Sequence, residues 1–378
     1  MEYRQFGKLG KPVSALGLGT MRLPTIEIEG NKTVNEDDAI KLIRHCIDNG
    51  VNYIDTAWPY HEGQSEIVTG MALLDNYREK VVLATKMPCW MIDKESDFDK
   101  YLDEQLGKLQ TGFVDFYLLH ALFTDRWEKM LSLDVFKWAD RAKRDGRIKH
   151  LGFSFHDGAK LFTDIIDSYD WDMCQIQYNY VNETVQAGTA GLNYAVQKGI
   201  PVVVMEPLLG GLLADPPGDM GNTIRNAGKN AVELALNWLW NKPEVSCVLS
   251  GMSSMQQANQ NIELASRSKA ESFSEADSTL VDKVKEIYSS FHSVPCTKCE
   301  YCQPCPSGVR IPRIFEIYNE GKLEGKHQSS QGMYNWHMKE SEKAHNCTGC
   351  KDCESSCPQH IEIASLMPRI HEELAFQS

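Results

Sequence analysis

The chain has 378 residues, with 39 Lys and Arg against 52 Asp and Glu, a formal net charge of −13. That acidity repels phosphate backbones and anionic lipid, so neither nucleic acid nor a membrane surface is an expected partner. With 42% hydrophobic and 24% charged residues the composition is that of a folded globular protein, which excludes a disordered chain or a fibre, and the length suits about two domains.

In chain order, the first thirty residues lack a basic stretch followed by an apolar one, so no secretory signal is read. The most apolar run, residues 200–214, is too short to span a bilayer and carries Glu206. The expectation is a soluble, cytoplasmic protein. Residues 1–11, with Gly7 and Gly10 flanking a turn, suggest a hairpin that plugs the bottom of a barrel. Short apolar, β-rich runs then recur at 14–18, 52–55, 81–86, 116–120, 149–154, 173–177, 201–205 and 245–250, which makes eight strands. Between them lie stretches with helical i, i+3, i+4 patterning. In the first, Asn35 precedes Ala39, Ile40, Leu42, Ile43 and Cys46, and Gly50 follows as a stop signal. The same pattern covers 95–109, 133–145, 158–168, 189–198, 230–241 and 254–266. Strict alternation calls for a parallel sheet, and eight units within about 260 residues suit an α/β fold of the closed (β/α)8 TIM-barrel type over residues 1–290. An open doubly wound sheet is the alternative, although Gly17-Leu18-Gly19 falls short of a dinucleotide fingerprint.

Active sites of such barrels lie at the carboxyl ends of the strands. The second strand ends in Asp55, followed by Thr56-Ala57-Trp58-Pro59-Tyr60; the third ends in Thr85-Lys86; the fourth ends in Leu118-Leu119-His120. On these residues, with Asn52-Tyr53-Ile54 before Asp55, Gly63-Gln64-Ser65-Glu66 after Tyr60, and Gly152-Phe153-Ser154, the sequence resembles the aldo/keto reductases. The resemblance implies an oxidoreductase acting on a small-molecule carbonyl, with Tyr60 as proton donor, Lys86 and Asp55 as its tuning pair, and His120 orienting the carbonyl. The chemistry suits those residue types. Hydride arriving at a carbonyl carbon leaves an alkoxide that needs a proton, and an unperturbed Tyr with a pKa near 10 is a sluggish acid at neutral pH. A neighbouring ammonium favours the phenolate, and a buried carboxylate keeps the ammonium charged and in place. The alternative for each residue alone is structural: an ion pair for Asp55 and Lys86, a half-buried aromatic for Tyr60, a core histidine for His120. Trp58 and Trp90 line a substrate pocket or simply pack.

The same resemblance implies NADP or NAD as cofactor, held at Gly19, Thr20 and Met21 after the first strand, Ser154 after the fifth, Gln177 on the sixth, Met205, Pro207 and Leu208 after the seventh, and Ser250, Gly251, Ser253, Gln257 and Asn261 after the eighth. Here the sequence departs from the family pattern. Phe155 stands where an Asn holds the carboxamide, Met205 where a Tyr stacks on the nicotinamide, and the loop 250–261 supplies no cation for a 2′-phosphate. Gly251 and Ser253 before a helix make an anion cradle of backbone N–H groups, or else the start of an ordinary capped helix.

The chain has 12 cysteines, and only Cys46, Cys89, Cys174 and Cys247 precede residue 290. The other eight form two runs, Cys296-x2-Cys299-x2-Cys302-x2-Cys305-Pro306 and Cys347-x2-Cys350-x2-Cys353-x3-Cys357-Pro358. A disulfide framework needs an oxidising compartment to which nothing here points. The second run has the bacterial ferredoxin spacing, in which the fourth Cys of each run serves the other cluster. By that rule one 4Fe-4S cluster takes Cys296, Cys299, Cys302 and Cys357, and the second takes Cys347, Cys350, Cys353 and Cys305; zinc is the alternative occupant. Residues 291–378 are thus expected to be a smaller, mainly helical, ferredoxin-like iron-sulfur domain, with Glu275 to Ser290 a helix leading into it. Barrel and double cluster together resemble the iron-sulfur branch of the aldo/keto reductases. Three functional readings remain open: a carbonyl reductase whose clusters are structural or redox-sensing, a reductase fed through its clusters by a ferredoxin-type electron partner, and a non-catalytic electron carrier or redox-responsive module.

Overall fold

The computed structural model of the chain describes residues 1–28, 31–291, 294–324 and 327–376. Eight parallel strands close into one barrel: β1 (Leu16–Gly19), β2 (Tyr53–Asp55), β3 (Val82–Met87), β4 (Val114–Leu122), β5 (Ile148–Phe155), β6 (Met173–Gln177), β7 (Val202–Met205) and β8 (Val245–Gly251). Each strand pairs with its neighbours in sequence, and β8 closes on β1 with Gly251 opposite Gly19. The open-sheet alternative is thereby excluded. The strands read as continuous apolar runs because interior packing covers one face and helices cover the other; all nine residues of β4 are buried.

Local chemistry explains where the helices begin and end. In Glu36–Asp48 the Asn35 side chain accepts from the Asp38 N–H at 3.3 Å, and three acidic residues fill the positive first turn. Leu42, Ile43, Cys46 and Ile47 are buried, each aliphatic side chain stabilising by about 2 kcal/mol. The chain leaves through Gly50 at φ +94°, where a Cβ would come within 2.9 Å of Tyr3 Oη.

The amino-terminal hairpin forms, but it pairs Tyr3–Arg4 with Val13–Ser14 and so runs past residue 11. Phe6 within it packs among Tyr53, Val82, Phe116 and Cys247 and closes the barrel bottom. A second hairpin, Thr25–Ile28 with Asn31–Val34, has no counterpart in the sequence reading. Thr25–Ile28 is largely exposed, so no alternation of apolar and polar residues marks it. Helices Thr124–Ser132 and Gly218–Asn226 likewise have no counterpart in the sequence reading.

The chain divides into two compact units, Met1–Pro207 with Leu236–Ser272 and Leu208–Ala235 with Phe273–Ser378. All eight barrel strands lie in the first. Helix Glu275–Ser290 appears over the expected residues and belongs to the second unit. Residues 292 and 293, just past the expected domain boundary, lie outside the described residues.

The second unit is mainly helical and has its own core. Ile311, Ile314, Phe315 and Tyr318 of helix Ile311–Glu324 meet Ile363, Met367 and Ile370 of helix Ile363–Leu374, and Tyr334 is buried among them. Cys296, Cys302, Cys305, Cys347 and Cys353 pack against the edge of this core. The segment that follows β7 is part of this unit: at Gly210, φ +62°, a Cβ would collide with the carbonyl of Thr297, the residue after Cys296. Among the described residues no helix is long and apolar enough to cross a membrane.

One glycine tests the packing of helix Gln64–Ala72 against the end of helix Glu95–Leu109. Gly70 sits inside helix Gln64–Ala72, where propensity favours Ala by about 1 kcal/mol. A Cβ there, however, would stand 2.6 Å from the Lys108 carbonyl oxygen and 2.8 Å from Leu109 C, backbone atoms that cannot rotate away. Gly70→Ala is therefore expected to destabilise the barrel by about 1–3 kcal/mol in urea unfolding; a gain in stability would show that the two helices part freely.

Candidate active site

The carboxyl ends of β2, β3 and β4 bring four of the expected residues together. Asp55 ends β2, Lys86 lies one residue before the end of β3, and both side chains are buried. The Lys86 ammonium has three hydrogens and three acceptors: Asp55 Oδ1 at 2.5 Å, the Thr56 carbonyl at 2.9 Å and Tyr60 Oη at 3.2 Å. An ammonium has no acceptor to offer, so the Lys86–Tyr60 bond uses a lone pair of the phenol oxygen and leaves its hydrogen to be donated elsewhere. His120 stands edge-on to Tyr60, ring centres 6.1 Å apart, and Trp90 lies 5.3 Å from His120.

Tyr60 owes its position to an unusual turn. After Pro59 the residues His61, Glu62 and Gly63 have φ values of 51°, 55° and 89°, all left-handed. For His and Glu this conformation costs of order 1 kcal/mol each. It is held by the Leu23 N–H donating to His61 Nε2 at 3.1 Å, by the Lys108 ammonium 3.5 Å over the Trp58 ring, and by Tyr101 edge-on to that ring. Of the two tryptophans, Trp58 is thus occupied in packing, whereas Trp90 stays beside His120 with the Arg126 guanidinium 4.9 Å over its face.

Burial sets the protonation of the group. Removal from water raises the Asp55 pKa and lowers that of Lys86, and their mutual attraction opposes both shifts. His120 is held well below the ordinary histidine value, first by burial and then by Lys86, Arg126 and His156, so its imidazole is neutral at neutral pH.

The residues expected to contact a nucleotide lie at or just after the ends of β1, β5, β6, β7 and β8, except Gln257 and Asn261, which lie on helix Met255–Arg267, and Leu208, which begins the second unit. Thr20 Oγ1 donates to the Asp55 carbonyl at 3.1 Å and meets Ser65 Oγ at 2.7 Å, and so supports β2. Ser154 Oγ accepts from the Ala121 N–H at 2.8 Å, and Gln177 Oε1 accepts from Gln186 at 3.4 Å. Asn261 donates to Ser250 Oγ at 3.0 Å, and Ser253 N–H donates to Gln257 Oε1 at 2.8 Å. The cap of helix Met255–Arg267 is Ser254. Thr20, Met21 and Gly19 follow one another at the β1 end, with Met21 half-buried.

Sequence reasoning missed a cation here. Arg22 lies along Gly251, where a Cβ would fall 2.8 Å from Arg22 Cγ. Glycine at 251 therefore makes room for the aliphatic stem of Arg22, a cationic residue of a kind that the loop 250–261 itself lacks; its place directly after Thr20-Met21 is the signal that could have found it.

In the second unit the cysteines ring two cavities. Cys296, Cys299, Cys302 and Cys357 line one, with Ile311, Phe315 and Ile361; Cys305, Cys347, Cys350 and Cys353 line the other, which Cys302 also reaches. Burial and then the neighbouring thiolates of Cys299, Cys296 and Cys357 push the Cys302 thiol up. Thiolates gathered this closely repel unless a cationic centre binds them. Among the described residues no three His, Cys, Asp or Glu side chains converge as on a single metal ion.

Comparison with known proteins agrees with both halves. The aldo/keto reductase family model matches residues 15–281, and the 4Fe-4S dicluster domain model matches residues 295–362. L-galactose dehydrogenase of Arabidopsis thaliana is 28% identical over 289 residues, covering 69% of this chain and 87% of that protein. NADH-specific methylglyoxal reductase of Escherichia coli is 26% identical over 331 residues, covering 72% and 95%. An aldo-keto reductase structure from Bacillus halodurans shares the fold with a TM-score of 0.63 at 23% identity, over 75% of this chain and 96% of that one.

The buried pair makes a direct prediction. Asp55→Leu or Lys86→Met alone strands a charge in the interior and is expected to cost about 3–5 kcal/mol in urea unfolding. The double variant, which removes both charges, is expected to recover most of that loss; additive losses would show that the pair is not electrostatically coupled.

Proposed function

The chain belongs to the aldo/keto reductase family and is an oxidoreductase with a C-terminal 4Fe-4S dicluster domain, and from that premise we propose that it reduces a small-molecule carbonyl with Tyr60 as the proton donor. The observation that carries this reading is the buried Lys86 ammonium, fixed by Asp55 at 2.5 Å and donating to Tyr60 Oη at 3.2 Å. A bound NADH or NADPH supplies hydride to the carbonyl carbon. Tyr60 gives its hydroxyl proton to the carbonyl oxygen as charge develops there, and the phenolate left behind is stabilised by Lys86. Asp55 keeps Lys86 charged and aimed. The neutral His120 imidazole donates to the same oxygen and orients it. In the opposite direction the phenolate accepts a proton from an alcohol.

Ser154 and Gln177 suit the carboxamide of a nicotinamide, and Gly251, the backbone before helix Met255–Arg267 and Arg22 suit its phosphates. Phe155 and Met205, in place of Asn and Tyr, leave NAD and NADP both open. The names of the two curated relatives, a sugar dehydrogenase and a methylglyoxal reductase, fit hydride exchange on small polar carbonyls. Tyr60→Phe is expected to lower kcat for NAD(P)H-dependent carbonyl reduction at least about 100-fold while nucleotide affinity stays within about threefold. Retained activity would remove Tyr60 from the mechanism.

We further assign the two cysteine-lined cavities to two 4Fe-4S clusters, one on Cys296, Cys299, Cys302 and Cys357 and one on Cys347, Cys350, Cys353 and Cys305. Each bound cluster exchanges one electron at a time, whereas a hydride carries two, so the clusters stand outside the carbonyl step and serve a structural or redox-sensing role. The substitutions at Phe155 and Met205 and the exposure of Cys350 favour a second reading, in which a ferredoxin-type partner feeds the barrel through the clusters. Protein purified without oxygen is expected to hold about eight iron and eight sulfide per chain. In the first reading it turns over with NAD(P)H while cluster absorbance stays constant; turnover that requires a reduced ferredoxin supports the second, and absence of sulfide would overturn both cluster assignments.

A further inference from the structure

Glu66 is fully buried beneath the barrel mouth and has no role in the reaction as described so far. Its Oε1 accepts from Thr85 Oγ1 at 2.6 Å and from Gln105 Nε2. Gln105 Nε2 also donates to the Lys86 carbonyl at 3.0 Å, and the amide is held in that orientation by Tyr117 Oη donating to Gln105 Oε1 at 2.7 Å. The other carboxylate oxygen, Oε2, faces Lys108 Nζ at 3.6 Å, and that ammonium lies 3.5 Å over the ring of Trp58, two residues before Tyr60. One carboxylate therefore connects the strand end that bears Lys86 to the loop that bears Tyr60. Burying a carboxylate between two helices and a strand costs free energy that an aliphatic side chain of the same size would not.

We propose that Glu66 is a positioning residue for proton transfer: through Gln105 and Thr85 it fixes Lys86, through Lys108 and Trp58 it fixes the Tyr60 loop, and so it sets the distance between ammonium and phenol. This rests on the reading of Tyr60 as the proton donor. Its charge acts as well, because a carboxylate on the dry side of Lys86 favours the ammonium against the desolvation that works against it. The titratable and charged groups around Lys86 are Asp55 on β2, Tyr60 on its loop, His120 on β4 and Glu66; those around Glu66 are Lys86, Lys108 and Tyr117.

Glu66→Gln keeps an acceptor for Thr85 and Gln105 and removes the charge; Glu66→Asp keeps the charge and shortens the reach. The test is steady-state reduction by anaerobically purified full-length enzyme, with NADH and NADPH, across a panel of small aldehydes and dicarbonyls that includes methylglyoxal, from pH 5 to 10. Loss of a negative charge lowers the Lys86 pKa, so in Glu66→Gln the alkaline limb of kcat/KM is expected about 0.5–1 unit lower, with KM for nucleotide and carbonyl within about twofold. Glu66→Asp is expected to restore the limb but to lose about tenfold in kcat through misplacement. Should Glu66→Gln fail to fold, Gln105→Met is measured in its place; it cuts the tie to the Lys86 carbonyl and is expected to lower kcat about tenfold with the limb unmoved. Wild-type kcat and pH profile in these variants, with Tyr60→Phe inactive, would reduce Glu66 to a packing residue. An active Tyr60→Phe, or no wild-type turnover with any probe, would instead overturn the underlying reading and this inference with it.

Discussion

An ammonium group taken out of water must find an acceptor for each of its hydrogens, and at this barrel mouth Lys86 finds a carboxylate, a peptide carbonyl and a phenol. Desolvation of such a group costs several kcal/mol, and only close, well-directed partners offset it. The requirement explains why the partners come from adjacent strand ends. Asp55 and Lys86 project from β2 and β3, where neighbouring carboxyl ends converge, and the Thr56 carbonyl is the next acceptor along the chain. Tyr60 completes the set from a loop, so its position depends on the loop's conformation rather than on a ladder of hydrogen bonds.

That conformation is strained, and the strain is held from several directions. The left-handed residues His61 and Glu62 would relax in a free peptide. In the folded barrel His61 is fastened to the chain after β1, and Trp58 lies between Tyr101 and Lys108 of helix Glu95–Leu109. The same helix supplies Gln105, which reaches the Lys86 carbonyl. Helix Gln64–Ala72 can approach it closely because Gly70 presents no side chain. The packing at Gly70 thus brings together the helix that bears Glu66 and the helix that supplies Gln105 and Lys108.

The second unit follows a different logic. Its apolar core is organised around helices, with cysteines at its edge facing two cavities. The loop after β7 leaves Met205 and Pro207 and folds with this unit, shaped at Gly210 by the cysteine-bearing loop at Thr297.

Much of this was legible in the residues alone. Alternating apolar runs and amphipathic stretches specify a parallel sheet covered on both faces, eight such units suit a barrel, and its closure was decided by the structure. Asp55, Lys86 and His120 could be located because a strand end is a position defined by sequence, and the C-x2-C runs because cluster ligation imposes short fixed spacings. The hairpin of Thr25–Ile28 with Asn31–Val34 was hidden, since the largely exposed strand Thr25–Ile28 carries no buried face to mark it. Arg22 beside Gly251, the tie from Glu66 through Gln105 to Lys86, and the membership of Leu208–Ala235 in the iron-sulfur unit were decided only by the tertiary structure. Each depends on groups that lie far apart along the chain or in different elements, and no local periodicity records which of them folding will bring within a hydrogen bond of one another.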